Sequence, residues 1–374
     1  IVKGKTTPPV CVFYPIDREV YEKNVNDSEK TTSYMLNETE SLRGLVLGVI
    51  QAKESSNSPY KPFFPQSKTI LGMIVEDDEL FRIRAIDDAE LHKDFETGHK
   101  KLTPAIICHG LASCRAHFTI LASALASYGC IVYVHNHTDG TSNYYRDHTT
   151  NPPKNVIYNY FDKKELKDSF GKKFDSHEQF RMKNLDRRMD DIESILTYIK
   201  TESIKDFKNI DMSKLTAIGH SMGGMTSLEM CYRFKTDFKF CIALDPYFKA
   251  RVSTISTSSS FVISQPLLII ISVDFYTTPY LSDFDSPKIA KKFYEETCKF
   301  NKKKNYELLL KDTAHLSFMD VAVIQPSLVA PIQLIGSVAK AGEKLEESNN
   351  IVLAFMQENK ALPIQFEKTI SECH

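Results

Sequence analysis

The chain has 374 residues, 42% of them hydrophobic and 25% charged, and 47 basic side chains against 48 acidic ones give a formal net charge of −1. This is the composition of an ordinary globular protein, and the balanced charge argues against a nucleic-acid partner. No run reaches the roughly 18 apolar residues of a membrane-spanning helix, and the first ten residues lack the apolar core of a signal peptide. We expect a soluble chain, cytoplasmic or secreted.

The first hundred residues contain few clear elements. Residues 10–14 are typical of a strand ended by Pro15, and the polar stretch 17–32 is typical of an exposed loop. Residues 42–52 are apolar at helical spacing, whereas residues 87–101 are polar and predicted to be solvated. None of these stretches carries a catalytic pattern.

The first stretch with a chemical pattern begins at residue 105. An apolar strand over residues 105–108 runs directly into His109, Gly110 and Leu111. In α/β-hydrolases the loop after such a strand donates a backbone N–H to the oxyanion hole. A helix over residues 117–128, ended by Gly129, and a buried strand over residues 130–134 are predicted to follow.

Two histidines and an aspartate follow the strand that ends at residue 134. His135, His137 and Asp139 are candidates for metal ligands, but no further histidine or carboxylate lies at a matching spacing. We therefore predict a polar loop near the catalytic face and no metal. Residues 176–200 have helical periodicity, and the pattern places Arg188 on a charged outer face.

The chain's strongest motif is the nucleophile elbow of residues 219–223, Gly-His-Ser-Met-Gly, which matches G-x-S-x-G. An apolar strand precedes it and a helix-forming stretch follows, as the elbow requires. Glycine at residues 219 and 223 leaves room for the sharp turn, and the helix N-terminus directs free N–H groups toward an oxyanion. Ser221 is therefore the predicted nucleophile.

Three further strands are predicted over residues 238–244, 266–273 and 306–310, and polar residues follow each of them. Asp245 and Asp274 follow the first two, and His315 comes soon after the third. The order Ser, Asp, His is the order of α/β-hydrolases. His315 is the predicted general base, while the pattern alone leaves Asp245 and Asp274 open as the acid.

Alternating strands and helices predict an α/β protein, with a doubly wound, mostly parallel sheet and helices on both faces, as in the α/β-hydrolase fold. No repeat or linker divides the chain, so residues 1–374 are predicted to form a single domain, helical over residues 318–374.

The chain resembles the platelet-activating factor acetylhydrolase family, which includes plasma and intracellular type II enzymes. The resemblance rests on residues 107–111 with Arg115 and on residues 125–132, 135–139, 219–224, 243–246, 265–267, 314–318 and 352–355. It covers roughly residues 100–360 evenly, and the N-terminal third more loosely. The sequence departs from the family at Pro246, where a tryptophan often follows the aspartate, and at Met222, where phenylalanine is usual.

The resemblance implies that Asp245 is the acid and that the backbone N–H groups of Leu111 and Met222 form the oxyanion hole. It also implies a calcium-independent serine esterase, without cofactor or metal, that cleaves short or oxidised sn-2 acyl groups from phospholipids. The alternatives are a carboxylesterase or lipase of small acyl esters and a catalytically silent binding protein. Apolar residues 42–50 and 318–338 are hypothesised to contact lipid surfaces peripherally and, given the near-neutral net charge, with little dependence on salt. The alternative is that both segments simply pack on the sheet, and it is favoured for residues 318–338.

Overall fold

A seven-stranded sheet forms the centre of the structure, a computed structural model that describes residues 8–27, 30–33, 82–147, 150–159, 161–162, 165–273, 286–324 and 340–373. Asp274, the apolar stretch 42–52 and residues 325–338 lie outside the described residues. The first strands are β1 (Val10–Phe13), β2 (Thr31–Ser33), β3 (Arg82–Ile86), β4 (Thr103–Cys108), β5 (Cys130–His135), β6 (Tyr144–Asp147) and β7 (Lys154–Ile157). They are followed by β8 (Phe161–Asp162), β9 (Lys167–Asp168), β10 (Thr216–His220), β11 (Phe240–Leu244), β12 (Leu267–Ser272) and β13 (Tyr306–Leu310).

The strand order of the sheet is β1-β5-β4-β10-β11-β12-β13. Only β1, at the edge, is antiparallel to its neighbour, and every other described pair in this sheet is parallel. The registers pair Ile218 with Ile107 of β4 on one side and with Ile242 of β11 on the other. The predicted doubly wound, mostly parallel sheet is confirmed, and the parallel strands bring their carboxyl ends to one edge.

Helices cover both faces of the sheet. They are α1 (Arg18–Asn24), α2 (Lys93–Glu96), α3 (Thr119–Ser127), α4 (His177–Tyr198), α5 (Ile204–Asp206), α6 (Met222–Arg233), α7 (Val252–Thr257), α8 (Ser286–Asn301), α9 (Val321–Ile324), α10 (Ala341–Glu358) and α11 (Ile370–Cys373). Side chains of β4 alternate between two cores: Ile106 packs with residues of α4 and α6, and Ile107 packs with residues of α3 and α10. The central strands are apolar on both sides because both sides are covered.

Several predicted boundaries hold, and others do not. Helix α4 begins after Ser176, whose hydroxyl accepts the N–H of Gln179, and Gly129 ends the α3 region with a φ of 90°. The stretch 17–32, predicted as a loop, contains α1, which buries no residue and so has no apolar face for the periodicity to reveal. Of the helices described, none combines the length and the apolar character needed to cross a bilayer.

Candidate active site

The elbow serine lies in a strained turn between β10 and α6. Ser221 has φ 58° and ψ −121°, a backbone conformation that side chains rarely adopt and that functional sites retain. A Cβ at residue 219 would lie 1.9 Å from the Gly223 carbonyl oxygen, and one at residue 223 would lie 2.0 Å from the Cys108 carbonyl oxygen. Glycine is therefore obligatory at both places, for the reason that the motif predicts.

Two of the predicted triad members are in contact. The Nδ1 atom of His315 lies 3.1 Å from Oδ2 of Asp245, and both side chains are buried. Asp245 also accepts hydrogen bonds from the backbone N–H of Ser272, at 2.6 Å, and from the Ser272 hydroxyl. These bonds hold the carboxylate of Asp245 toward the imidazole, and Asp245 itself has a φ of 43°.

Backbone contacts bring Ser221 to the same edge as Asp245. The Ser221 N–H donates to the Leu244 carbonyl at 2.9 Å, and the Tyr247 N–H donates to the Ser221 carbonyl at 2.9 Å. The turn at Ser221 is therefore bonded to the residue before Asp245 and to a residue two positions after it, and these bonds hold the two turns together.

Of the predicted oxyanion donors, Met222 follows Ser221 in the chain, and Leu111 follows Gly110, which packs against Ser221. Met222 is the first residue of α6, and Gly110 approaches so closely that a Cβ there would lie 2.9 Å from the Cβ of Ser221 and 3.4 Å from its Oγ. Within the residues that the structure describes, no protein group accepts a hydrogen bond from the N–H of Leu111 or Met222. Both donors are available to a developing oxyanion.

His109 orients the peptide that carries one of these donors. Its Nε2 lies 3.0 Å from the backbone N–H of His137, which can only donate, so Nε2 is the acceptor and the proton is on Nδ1. Nδ1–H then donates to the Gly110 carbonyl at 2.7 Å. That carbonyl belongs to the same peptide as the Leu111 N–H, and fixing one end of a planar peptide fixes the other. The sequence motif pointed to His109–Gly110 but not to this role.

His220, the residue before the predicted nucleophile, supports His315, the predicted general base. Its Nε2–H donates to the His315 carbonyl at 2.8 Å, and the two rings lie 4.5 Å apart. The rings of Phe118 and Phe318 lie 6.0 and 5.8 Å from the ring of His220. The second position of the elbow motif, to which the sequence assigned no role, therefore positions the backbone of His315.

A second link joins the segment after His315 to helix α3, which follows the loop that carries Leu111. The carboxylate of Asp320 accepts hydrogen bonds from the backbone N–H and the hydroxyl of Thr119, at 2.6 and 2.7 Å, at the start of α3. The Asp320 N–H donates to the His117 carbonyl at 3.0 Å. No motif marks Asp320, because its partners are about 200 residues away in the chain.

The predicted outer-face position of Arg188 is wrong. Its side chain is fully buried, where it donates to the His109 carbonyl at 2.8 Å and to the Thr226 hydroxyl at 3.0 Å and pairs with Asp139 at 2.9 Å. A buried guanidinium is stable only when its donors are satisfied, and here the loops after β4 and β5 and the start of α6 satisfy them. The helical period gives the direction of a side chain but not the loops that pack over it.

A buried group of Cys108, His135 and His137 has donor types that suit a metal ion. His135 Nε2 lies 3.2 Å from His137 Nδ1, while His135 Nδ1 and His137 Nε2 have no partner among the described residues. Metal-bound imidazoles normally donate their second N–H to a carboxylate or carbonyl, and here His137 Nδ1 lies 3.6 Å from Oδ2 of Asp191 but faces His135 Nε2 at the shorter distance of 3.2 Å. The prediction of no metal stays a prediction.

Burial lowers the pKa of every histidine in this region, which makes folding sensitive to acid. The histidines are His109, His117, His135, His137, His220 and His315. An unfolded chain protonates its histidines below about pH 6.5, whereas these stay neutral in the folded protein. Their stabilising contribution is therefore complete above pH 6.5 and is lost as the pH falls below it.

Two buried carboxyl groups have the opposite effect on how the stability of the fold changes with pH. Burial raises the pKa of Asp191 and of Asp320 to about 7, so the folded state holds protons there that the unfolded state releases above about pH 4. The histidines outnumber them, and we expect the free energy of unfolding to fall by up to about 5 kcal/mol per pH unit below pH 6.5. Denaturant unfolding measured between pH 8 and 5 checks this, and a level free energy down to pH 5 would contradict it.

Comparison with known proteins gives one family. The family model described as platelet-activating factor acetylhydrolase, isoform II, matches residues 80–373. The chain is 25% identical over 301 residues to the platelet-activating factor acetylhydrolase of Canis lupus familiaris, covering 75% of this chain and 62% of that protein. It is 23% identical over 299 residues to that of Cavia porcellus, covering 75% and 62%. The matched region thus spans about three fifths of the length of these curated relatives.

Among solved structures, the chain is similar to a ferulic acid esterase from Streptomyces cinnamoneus. The TM-score is 0.52 at 18% sequence identity, and the match covers 81% of this chain and 78% of that chain. A likeness at this identity concerns the fold, and it confirms the predicted α/β-hydrolase architecture.

Proposed function

The chain belongs to the family of platelet-activating factor acetylhydrolase, isoform II, and on this premise we propose that it is a calcium-independent serine esterase. The substrate we propose is a phospholipid with a short or oxidised acyl group at the sn-2 position. The observation that carries the proposal is the 3.1 Å contact between Asp245 and His315, with Ser221 joined by backbone hydrogen bonds to Leu244 and Tyr247 on either side of Asp245.

In the proposed reaction Ser221 attacks the ester carbonyl while His315 takes the hydroxyl proton on Nε2. Asp245 accepts the Nδ1–H bond, which keeps Nε2 free of a proton before the attack and stabilises the imidazolium afterwards. His315 then gives its proton to the leaving alcohol, the lysophospholipid. Water, deprotonated by the same imidazole, cleaves the acyl-enzyme and regenerates Ser221.

The electrostatics of the site suit these steps. Burial lowers the pKa of His315, so at neutral pH its imidazole is uncharged and able to accept a proton. The oxyanion receives the N–H groups of Leu111 and Met222 in a region from which water is largely excluded, where such bonds are strongest. Because backbone donors polarise the carbonyl, the proposed mechanism has no step that needs calcium or another cofactor.

The substrate class is testable by comparing sn-2 acetyl with sn-2 long-chain phosphocholine, each with and without a calcium chelator. We expect the acetyl substrate to be turned over faster, on the order of 10²-fold in kcat/KM, because a pocket for a short acyl group excludes a long one. The chelator should change neither rate. Equal turnover of both lipids would favour the alternative, a general esterase or lipase, and loss of activity with the chelator would contradict the mechanism.

A further inference from the structure

A tight turn over residues 168–172, here named the Phe170 turn, carries the most exposed large apolar side chain among the described residues. Phe170 is 77% exposed. The turn holds it there: Asp168 N–H donates to the Lys172 carbonyl, and Gly171 N–H to the Asp168 carbonyl, both at 2.9 Å. The Asp168 carboxylate accepts the N–H groups of Phe170 and Lys172 at 3.0 and 2.9 Å. The exposure of Phe170 is thus imposed by a well-bonded turn, and exposed aromatic side chains of this kind mark interaction sites.

Two lysines, one of them in this turn, converge on the ring of Phe174. The Nζ atoms of Lys172 and Lys183 lie 5.6 and 5.7 Å from the centre of the same Phe174 ring. Within the described residues neither ammonium forms an ion pair, and the nearby Asp168 carboxylate, whose charge favours the charged form of Lys183, accepts its hydrogen bonds from backbone N–H groups and from Asn159. The proximity of Lys172 lowers the pKa of Lys183. Two like charges held this close repel each other, and an anion placed between them would relieve that repulsion.

The Phe170 turn is anchored to the catalytic edge of the sheet. Asn159 accepts the N–H and the hydroxyl of Ser169, at 3.0 and 2.6 Å, and its own N–H donates to the Gly140 carbonyl at 2.7 Å. One residue further on, the Thr141 carbonyl accepts the N–H of Ala112 at 2.9 Å, directly after the predicted oxyanion donor Leu111. The turn is therefore linked by hydrogen bonds to the loop that carries the predicted oxyanion donor Leu111.

We propose that the Phe170 turn docks the protein on anionic phospholipid bilayers, with Phe170 in the interfacial zone and Lys172 and Lys183 on lipid phosphates. A free phosphate or an acidic small molecule would explain the lysine pair but not the exposed phenylalanine beside it. The surface of an anionic bilayer accepts an apolar side chain in its interfacial zone and attracts lysines to its phosphates, so it accounts for both Phe170 and the lysine pair. The net charge of −1 predicts that membrane binding depends little on salt, but it is a sum over the whole chain and does not reveal that these two lysines lie together.

The inference rests on the proposed function, because it supplies the route by which an esterase without a described membrane-spanning helix meets an insoluble lipid. The two remain separable experimentally. Hydrolysis of a soluble short-chain ester needs Ser221 but not the turn, whereas vesicle binding needs the turn but not Ser221.

The test is co-sedimentation of the full chain with vesicles of phosphatidylcholine, with or without phosphatidylserine, at low and high salt. We expect binding to the phosphatidylserine vesicles, weakened by salt, and a loss of about tenfold in affinity for Phe170→Ser. Lys172→Gln/Lys183→Gln should lose about tenfold or more, since each lysine near an anionic surface contributes about fivefold. All three proteins should hydrolyse a soluble ester at the same rate.

A matched control is available on α8. Phe300 is 57% exposed, and the neighbouring Lys299 is paired with Glu296 at 2.9 Å, so its charge is already compensated. Phe300→Ser and Lys299→Gln should bind vesicles as the unaltered chain does. The proposal is overturned if the unaltered chain ignores phosphatidylserine, if the Phe170 and lysine variants bind normally, or if the control variants lose binding equally.

Discussion

Ser221→Ala is expected to reduce turnover on the order of 10⁴-fold or more while the protein stays folded. The alanine lacks the attacking oxygen, so what remains is the stabilisation supplied by the oxyanion donors alone. Its Cβ occupies the place of the serine Cβ, and the strained backbone at φ 58° is the same for both side chains. We therefore expect the free energy of unfolding to change by no more than about 1 kcal/mol.

A buried serine of the same helix provides the control for this variant. The Ser227 hydroxyl bonds to the carbonyl groups of Gly224 and Ile242, at 2.8 and 3.0 Å, away from the reacting atoms. Ser227→Ala should cost about 1 kcal/mol of stability and leave turnover close to normal. If Ser221→Ala kept a tenth of the activity with an unchanged unfolding curve, Ser221 would not be the nucleophile.

Asp245→Asn should lower kcat by on the order of 10⁴-fold, because the asparagine amide favours the wrong imidazole tautomer. The carboxylate accepts the Nδ1–H of His315 at 3.1 Å, whereas an NH₂ group in the same place would donate to Nδ1 and move the proton to Nε2. His315 could then no longer accept the serine proton. The effect should fall on kcat rather than on KM, since Asp245 is buried behind His315.

Asp274→Asn is the matched comparison, because Asp274 follows the next strand and the residue pattern alone allows either acid. We expect it to retain most of the activity. The family resemblance selects Asp245, and the two hydrogen bonds from Ser272 to the Asp245 carboxylate support that choice. Should Asp274→Asn prove the more damaging change, the assignment of the acid would pass to Asp274.

The parts of the fold that local pattern determines could be read from the sequence. Strands β4, β5, β10 and β12 are buried along their whole length, so their central residues are apolar, and polar residues stand at or just beyond the carboxyl end of each strand. Because parallel strands end at one edge, Ser221, Asp245 and His315 could be placed at that edge before any coordinates were known.

What escaped sequence reasoning depends on contacts between distant segments. Arg188 has a charged side chain on a helix, and only the packing of the loops after β4 and β5 makes it a buried donor. His220 and Asp320 act through partners 95 and about 200 residues away, respectively. The lysine pair depends on Lys172 and Lys183 meeting over one aromatic ring, which neither composition nor period reports. The single-domain organisation stays a prediction.

The measurement that tests the central claim most directly is labelling with a fluorophosphonate, followed by peptide mapping. A fluorophosphonate modifies a serine only when a neighbouring base and an oxyanion hole activate it, so the reaction reports the assembled site and not the motif. We predict one phosphonylated residue, Ser221, with ester hydrolysis lost in proportion to the labelling, and neither label nor turnover in Ser221→Ala. Ester hydrolysis that continues after the protein is fully labelled, or a label on a different serine, would contradict the account.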